Sequence, residues 1–167
     1  MFGFLKKRVA ADPLAKSLAR YATGLDACAM MAGMMRDRTV GDDVATSEFA
    51  FLRASYLQGL VAEHCKGSTL QRMQELVDRE VVDAFSGKEI TASRESLDYY
   101  QNQKMAEVAK ARLAAYRAVG DDIERTAPMF CTRMGARNIM TGAEVRAMLD
   151  DMLGVALRKS LKSVRPV

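Results

Sequence analysis

Apolar residues between positions 14 and 35 recur at alternating spacings of four and three residues. This spacing places them on one stripe of an α-helix, along which the helix packs against another helix. Asp12 and Pro13, just before the stripe, are typical of a helix start, with aspartate as N-cap and proline in the first turn. The pattern predicts a first helix that begins after Asp12 and runs to Met35. The stripe consists of Leu14, Leu18, Tyr21, Leu25, Cys28, Ala32 and Met35.

Apolar repeats of helical period continue along the rest of the chain. They predict helices over about residues 46–66, 68–86 and 92–125, followed by one short helix. Thr141 and Glu144 have the spacing of a capping box, which predicts the start of a last helix.

The expected fold is all-α: a single bundle of five or six helices, with one long helix near residues 92–125. At about 1.5 Å per residue, that helix would be on the order of 50 Å long. The sequence contains neither the alternation of a strand nor a hairpin turn signal. A length of 167 residues suits one domain with its own core. We therefore divide the chain into a basic and aromatic leader, residues 1–11, and a single all-α domain, residues 12–167.

The cysteines and the hydropathy pattern favour a cytoplasmic protein. The three cysteines are widely spaced and form no Cys-x-x-Cys pair, which favours reduced thiols over a disulfide framework. No apolar run reaches the roughly 18 residues that a membrane-spanning helix needs. A signal peptide has its positive charge before its apolar stretch, whereas here Phe2, Phe4 and Leu5 precede the cations. We expect a cytoplasmic location, including the inner face of the membrane.

The positive charge is concentrated in two segments, which we call the basic ends. Residues 1–20 contain five lysines and arginines and one acid, and residues 152–167 contain four and no acid. The residues between them carry an excess of acids, although the formal net charge of the chain is +4. A localised basic segment can contact an anionic partner, whereas a diffuse excess of charge mainly affects solubility.

Each basic end combines its cations with apolar side chains. In residues 1–8, two phenylalanines and a leucine precede three cations, which is the composition of a short interfacial membrane anchor. Residues 157–165 interleave leucine and valine with cations, although a basic last turn also suits the negative end of a helix dipole. We expect both ends to contact an anionic membrane or another anionic partner. The candidate contact residues are Phe2, Phe4, Leu5, Lys6, Lys7, Arg8, Arg158, Lys159, Lys162 and Arg165.

Methionine is abundant, with 12 residues, and four of them lie close together in the expected first helix. Two of the four continue its apolar stripe, and the other two widen it. Such a helix either lies at the centre of the bundle or forms half of an interface, where flexible methionines can accept a protein partner. The candidate residues for binding a protein partner or a second copy of the chain are Met30, Met31, Met34 and Met35.

The sequence indicates no catalytic, cofactor-binding or metal-binding residues. It has one histidine, His64, and it lacks a glycine-rich phosphate loop, a nucleophile elbow and a dinucleotide fingerprint. One alternative is a metal-dependent helical hydrolase, in which carboxylates one turn apart hold magnesium. Charges on a helix are usually solvated, however. The carboxylate pairs in question are Glu75 with Asp78 and Asp121 with Glu124.

A second alternative is nucleic-acid binding through the basic ends. The sequence disfavours it, because the basic ends have neither an aromatic stacking platform nor a recognition-helix motif. We therefore expect a non-enzymatic helical interaction protein, which means an adaptor, a regulator or a structural subunit. It is expected to bind a protein partner or itself without a cofactor, with an anionic membrane surface as a further partner.

Overall fold

The computed structural model of the protein describes residues 7–9, 11–86, 97–119 and 123–166. Apart from two three-residue strands, the regular elements of this part of the chain are all helices, joined by short turns and loops, which confirms the expected all-α class. No helix in it is long and apolar enough to cross a membrane. The α-helices are α1 (Ala11–Ala22), α2 (Leu25–Met34), α3 (Asp42–His64), α4 (Gly67–Ser86), α5 (Leu97–Ala118), α6 (Ile123–Met134), α7 (Gly142–Leu149) and α8 (Val155–Ser163). A π-helical segment (Asp150–Gly154) joins α7 to α8, and the strands are β1 (Lys7–Val9) and β2 (Val164–Pro166).

The described residues form seven helices, when α7, the π-helical segment and α8 are taken as one, whereas the sequence predicts five or six. The additional helix arises because the predicted helix over residues 12–35 is divided into α1, which begins at Ala11, and α2. At the end of α1, the backbone N–H and the hydroxyl of Thr23 both donate to the carbonyl oxygen of Ala19 at 2.8 Å. Gly24 then leaves the helical conformation, with a ψ of 114°.

The long helix predicted near residues 92–125 is shorter in the structure. α5 ends at Ala118, and α6 begins at Ile123. With 22 residues, α5 is about 33 Å long. The sequence between the two helices contains Gly120 and Asp122, and these residue types favour helix ends and N-caps. The first part of the prediction, up to residue 96, lies outside the described residues.

α3 is the central helix of the bundle and packs against α1, α2, α4, α5, α6 and α8. A helix surrounded in this way is apolar on most of its circumference. Phe49 of α3 meets Phe130 of α6 edge-on, with ring centroids 4.9 Å apart. The central position therefore belongs to α3 and not to the methionine-rich α2. The buried apolar residues of α3 are Ala45, Phe49, Ala50, Phe51, Leu52, Ala54, Leu57, Leu60 and Val61.

Local hydrogen bonds define the turn between α6 and α7. Gly135 has a φ of +59°, its N–H donates to the carbonyl of Thr132 at 3.1 Å, and the next N–H donates to the carbonyl of Cys131 at 3.0 Å. This is a Schellman motif, in which glycine tolerates the left-handed conformation. Thr141 and Glu144 form the predicted capping box, with Thr141 N–H donating to the Glu144 carboxylate at 2.7 Å. The two caps turn the chain so that α7 packs against α6.

The two short strands form one parallel sheet. Part of the predicted leader, residues 7–9, is thereby paired with the residues that follow α8. The sequence pattern did not predict this sheet, because three residues are too few to show the alternation of a strand.

Candidate functional site

The structure brings backbone segments of the two basic ends together. β1 and β2 lie side by side with Arg8 opposite Arg165, and neighbouring strands are about 4.8 Å apart. Lys7 precedes Arg8 in the same strand. The other leader candidates lie outside the described residues and directly precede β1 in the sequence; they are Phe2, Phe4, Leu5 and Lys6.

α8 leads directly into β2 and carries the remaining cations of the second basic end. Lys159 and Lys162 are exposed, and they line an open groove together with Arg158 and Val155. Val155 is 72% exposed, so an apolar side chain lies among these cations. We call β1, β2, Lys159 and Lys162 together the basic pole.

Arg158 differs from the other candidates on α8 because two carboxylates bind it. Its Nη1 donates to Asp150 Oδ1 at 2.8 Å, and its Nε lies 4.0 Å from Glu63 Oε2. The side chain is 31% exposed. Asp150 and Glu63 therefore offset much of its charge, and we do not count Arg158 as part of the basic pole.

The four candidate methionines divide into an inner pair and an outer pair. Met31 is buried and Met35 packs partly buried against the core, whereas Met30 is 57% exposed and Met34 is 68% exposed. The division follows from the helix, in which successive residues point about 100° apart and residues four apart share a face. Only Met30 and Met34, which we call the methionine pair, are available to a partner.

The described carboxylates of the hydrolase alternative are divided between two helices. Glu75 and Asp78 lie on α4, and Glu124 lies on α6. Asp78 is half-buried and forms an ion pair with Arg117 of α5. Burial raises the pKa of Asp78, while Arg117 acts in the opposite direction. Asp121 lies outside the described residues, and among the residues that are described no group of three or more His, Cys, Asp and Glu side chains is placed to hold a metal ion.

A cavity of about 270 Å³ lies between α3, α6, α7 and α8. The apolar periodicity does not indicate it, because its walls combine α3 with three helices that lie much later in the sequence. Its larger apolar lining residues are Leu52, Leu60, Ile123 and Leu149, and its polar ones are Ser55, Tyr56, Glu63, Thr126, Arg146 and Arg158.

A hydrogen-bonded network connects the cavity wall to the π-helical segment. The Tyr56 hydroxyl donates to the Asp150 carboxylate, which also accepts from Arg158. Burial raises the pKa of the Tyr56 hydroxyl, and the hydrogen bond to Asp150 raises it further, so the hydroxyl remains a donor. Burial raises the pKa of Asp150, but the hydrogen bonds from Tyr56 and Arg158 outweigh that effect and lower it. A Cβ at Gly154 would overlap the Tyr56 hydroxyl, so the network depends on a glycine there.

The described residues thus form a helical bundle that carries a basic pole, an exposed methionine pair and a partly polar cavity. No protein-family model matches the sequence, and comparisons with curated proteins and with solved structures found no similar protein. We therefore consider what these three features can bind.

Proposed function

We propose that this protein is a non-enzymatic helical interaction protein that docks on an anionic lipid surface through its basic pole. The observation that carries the proposal is the parallel pairing of β1 with β2, with Arg8 opposite Arg165. This pairing joins two basic segments that are distant in the sequence. It also supports docking in one orientation, because Lys159 and Lys162 are exposed on the helix that leads into β2.

Charge alone makes such docking weak and reversible. A lysine or arginine near an anionic bilayer contributes about 1 kcal/mol, and salt screens the attraction over roughly 10 Å. Two weak contacts that are held together act as one stronger contact, because binding of the first raises the effective concentration of the second. In the sequence, Phe2 and Phe4 stand a few residues before β1, and aromatic side chains enter the headgroup region of a bilayer.

Vesicle co-sedimentation tests the proposal. The full chain is mixed with vesicles of phosphatidylcholine alone or with phosphatidylserine, at low and at high salt. We expect binding only to the anionic vesicles, and we expect it to fall with salt. The double variant Lys159→Gln/Lys162→Gln should lower the partition coefficient about tenfold or more, since it removes two cations of the basic pole.

The matched control neutralises two lysines elsewhere on the surface. Lys104 and Lys110 are exposed on α5, and the variant Lys104→Gln/Lys110→Gln has the same net charge as the test variant. Equal losses in both variants would mean that net charge and not the basic pole drives binding. Negligible binding of the wild type to anionic vesicles, with a salt-sensitive shift of mixed oligonucleotides instead, would favour nucleic acid as the partner.

The methionine pair supports a second candidate function, which is self-association. Met30 and Met34 lie one turn apart on α2 and are both more than half exposed, which is unusual for a side chain of this size and polarity. Light scattering over a range of concentrations tests this candidate. A dimer that the variant Met30→Gln/Met34→Gln disrupts, but Met105→Gln on α5 does not, would support it. A monomer at every concentration would contradict it.

A further inference from the structure

The cavity between α3, α6, α7 and α8 is not needed for docking at the basic pole. Its lining combines apolar side chains with charged and hydroxyl-bearing ones. Four larger apolar side chains line it, while two arginines, a glutamate and a tyrosine lie among its polar lining residues. We propose that this cavity binds a small anionic amphiphile, a molecule with a short apolar chain and one carboxylate or similar anionic group.

The apolar part of the cavity sets the size of the ligand. Leu52, Leu60 and Leu149 are buried core residues that also line the cavity, and Ile123 adds a partly buried side chain. A buried apolar cavity of about 150 Å³ holds one benzene molecule, which has six non-hydrogen atoms. A volume of about 270 Å³ therefore has room for on the order of ten non-hydrogen atoms.

Arg146 is the cation in the lining that remains for the anionic group of a ligand. Arg158 is bound by Asp150 and Glu63. Arg146 is exposed on α7; its positive charge helps to lower the pKa of Asp150, but it is not among the ion pairs found in the described part of the chain. A ligand carboxylate at Arg146 would keep contact with water while its chain enters the cavity, which lowers the cost of removing the charge from solvent.

The π-helical segment supports the assignment independently of the lining. It lies between Leu149 and Arg158, which are both lining residues, and π-helical turns inside α-helices occur frequently at functional sites. Gly154 in this segment leaves room for the Tyr56 hydroxyl, which is held by Asp150. These contacts fix the cavity wall before a ligand arrives, and a preformed cavity binds with a smaller loss of conformational entropy.

Calorimetric titration of the full chain with sodium octanoate tests the proposal, with 1-octanol and octylammonium chloride as comparison ligands of similar chain length. We expect one octanoate site per chain and weaker binding of octylammonium. The variant Arg146→Gln should weaken octanoate binding about threefold to tenfold and leave 1-octanol binding unchanged. The control Arg79→Gln removes an exposed arginine from α4 and should change neither affinity.

A second variant fills the cavity. Ala62 lines the cavity from α3, and Ala62→Leu should weaken the binding of both octanoate and 1-octanol. Circular dichroism checks that this variant folds. If the variant does not fold, the location of octanoate is tested in the wild type instead. We then expect nuclear Overhauser contacts between octanoate and the methyl groups of Leu52 and Leu149.

Three outcomes would overturn the proposal: no saturable octanoate binding below the micelle concentration, equal binding of octylammonium, or contacts to methyl groups outside the cavity. The outcome of the vesicle experiment is independent of the octanoate result, because the variant Lys159→Gln/Lys162→Gln should bind octanoate like the wild type. A loss of vesicle binding in that variant with octanoate binding intact shows that the two sites are distinct.

Discussion

The Tyr56 hydroxyl donates a hydrogen bond to the Asp150 carboxylate, which connects the middle of α3 to the π-helical segment 94 residues further along the chain. Arg158 donates to the same carboxylate from α8. Asp150 therefore accepts hydrogen bonds from α3 and from α8. Through this carboxylate, the central helix α3 is linked to the π-helical segment and to α8, which follows it. This contact stabilises the fold and also forms part of the wall of the proposed ligand cavity.

Replacing Tyr56 with phenylalanine should show how much the hydrogen bond to Asp150 contributes to the stability of the fold. The variant Tyr56→Phe removes the hydroxyl and leaves Asp150 with Arg158 as its remaining hydrogen-bond donor. We expect the free energy of unfolding to fall by about 1–2 kcal/mol, as for a hydrogen bond to a partly exposed charged group. Urea denaturation measures the change. The control Tyr21→Phe alters a tyrosine that is 48% exposed and should stay within about 0.5 kcal/mol of wild type.

The parts of the fold that the sequence predicted depend on neighbouring residues. Helical periodicity indicated the all-α class, and the spacing of Thr141 and Glu144 indicated the capping box that the structure contains. The division of the first helix was not predicted, because the apolar stripe continues through the break at Gly24. Periodicity reports which face of a helix is buried, and a change in direction between two helices can leave that pattern intact.

The candidate sites were harder to predict, since each depends on contacts between distant segments. The charge pattern identified the basic ends, but the pairing of Arg8 with Arg165 exists only in the folded chain. Helical spacing separated Met31, on the apolar stripe, from Met30 beside it, but it could not show whether another helix covers Met30, because that depends on the packing of the folded chain. The cavity combines residues from four helices, and none of its lining residues forms a recognisable motif by itself.

Two glycines in helical segments should respond in opposite ways to alanine. A Cβ at Gly154 would overlap the Tyr56 hydroxyl and lie 2.7 Å from Asp150 Oδ1, whereas a Cβ at Gly33 in α2 meets nothing within 4 Å. We expect Gly154→Ala to destabilise the fold by about 1–2 kcal/mol through the displaced hydrogen bonds. Gly33→Ala should stabilise it by about 0.5–1 kcal/mol, because alanine restricts the unfolded chain.

Thermal and urea unfolding of both glycine variants provide the test. Helix propensity alone favours alanine at either position, so the sign of the change at Gly154 isolates the steric effect. A stabilised Gly154→Ala variant would mean that Tyr56 and Asp150 move aside without cost.

The contribution of Asp150 to stability should depend on pH. Its pKa in the folded chain is lowered, whereas an unfolded aspartate has a pKa of about 3.9. The stability from this difference is fully present above the unfolded pKa and is lost as the pH falls through the folded pKa. The variant Asp150→Asn lacks it at every pH. The gap in unfolding free energy between wild type and variant should therefore be largest near neutral pH and narrow below about pH 4.

Urea denaturation at neutral and at acidic pH measures that gap. The neighbouring Asp151 is exposed, and Asp151→Asn serves as the control that should change stability little at either pH. An equal gap for Asp150→Asn at both pH values would show that its carboxylate contributes nothing as an ion.

Glu48 is a buried carboxylate in the central helix, and its removal should be costly. It accepts a hydrogen bond from the Tyr116 hydroxyl at 3.0 Å and lies 3.3 Å from Arg112 Nε and 3.7 Å from Arg133 Nη1. Burial raises the pKa of Tyr116, and the charge of Glu48 raises it further, so the hydroxyl stays protonated.

The variant Glu48→Gln keeps the shape of the side chain but leaves Arg133, which is 18% exposed, without its counter-charge. We expect a loss of about 3 kcal/mol in unfolding free energy, the range seen when one partner of a buried ion pair is removed. Glu107 is exposed on α5, and Glu107→Gln is the matched control. A loss in Glu48→Gln no larger than in the control would show that solvent compensates the arginines.

The three cysteines should react slowly in the folded protein. Cys28, Cys65 and Cys131 are buried, and none forms a disulfide bond. Burial raises the pKa of all three thiols, which lowers the fraction of reactive thiolate. In urea, Ellman's reagent should detect three thiols per chain, and in the folded protein the reaction should be at least about tenfold slower.

The reaction rate then reports how often the bundle opens. If the thiols react only in opened molecules, the rate follows the population of those molecules and thus the unfolding free energy. Glu48→Gln should therefore react faster than the wild type, and Gly33→Ala more slowly. A fast native reaction of one thiol, unchanged between these variants, would show that this cysteine is accessible without unfolding.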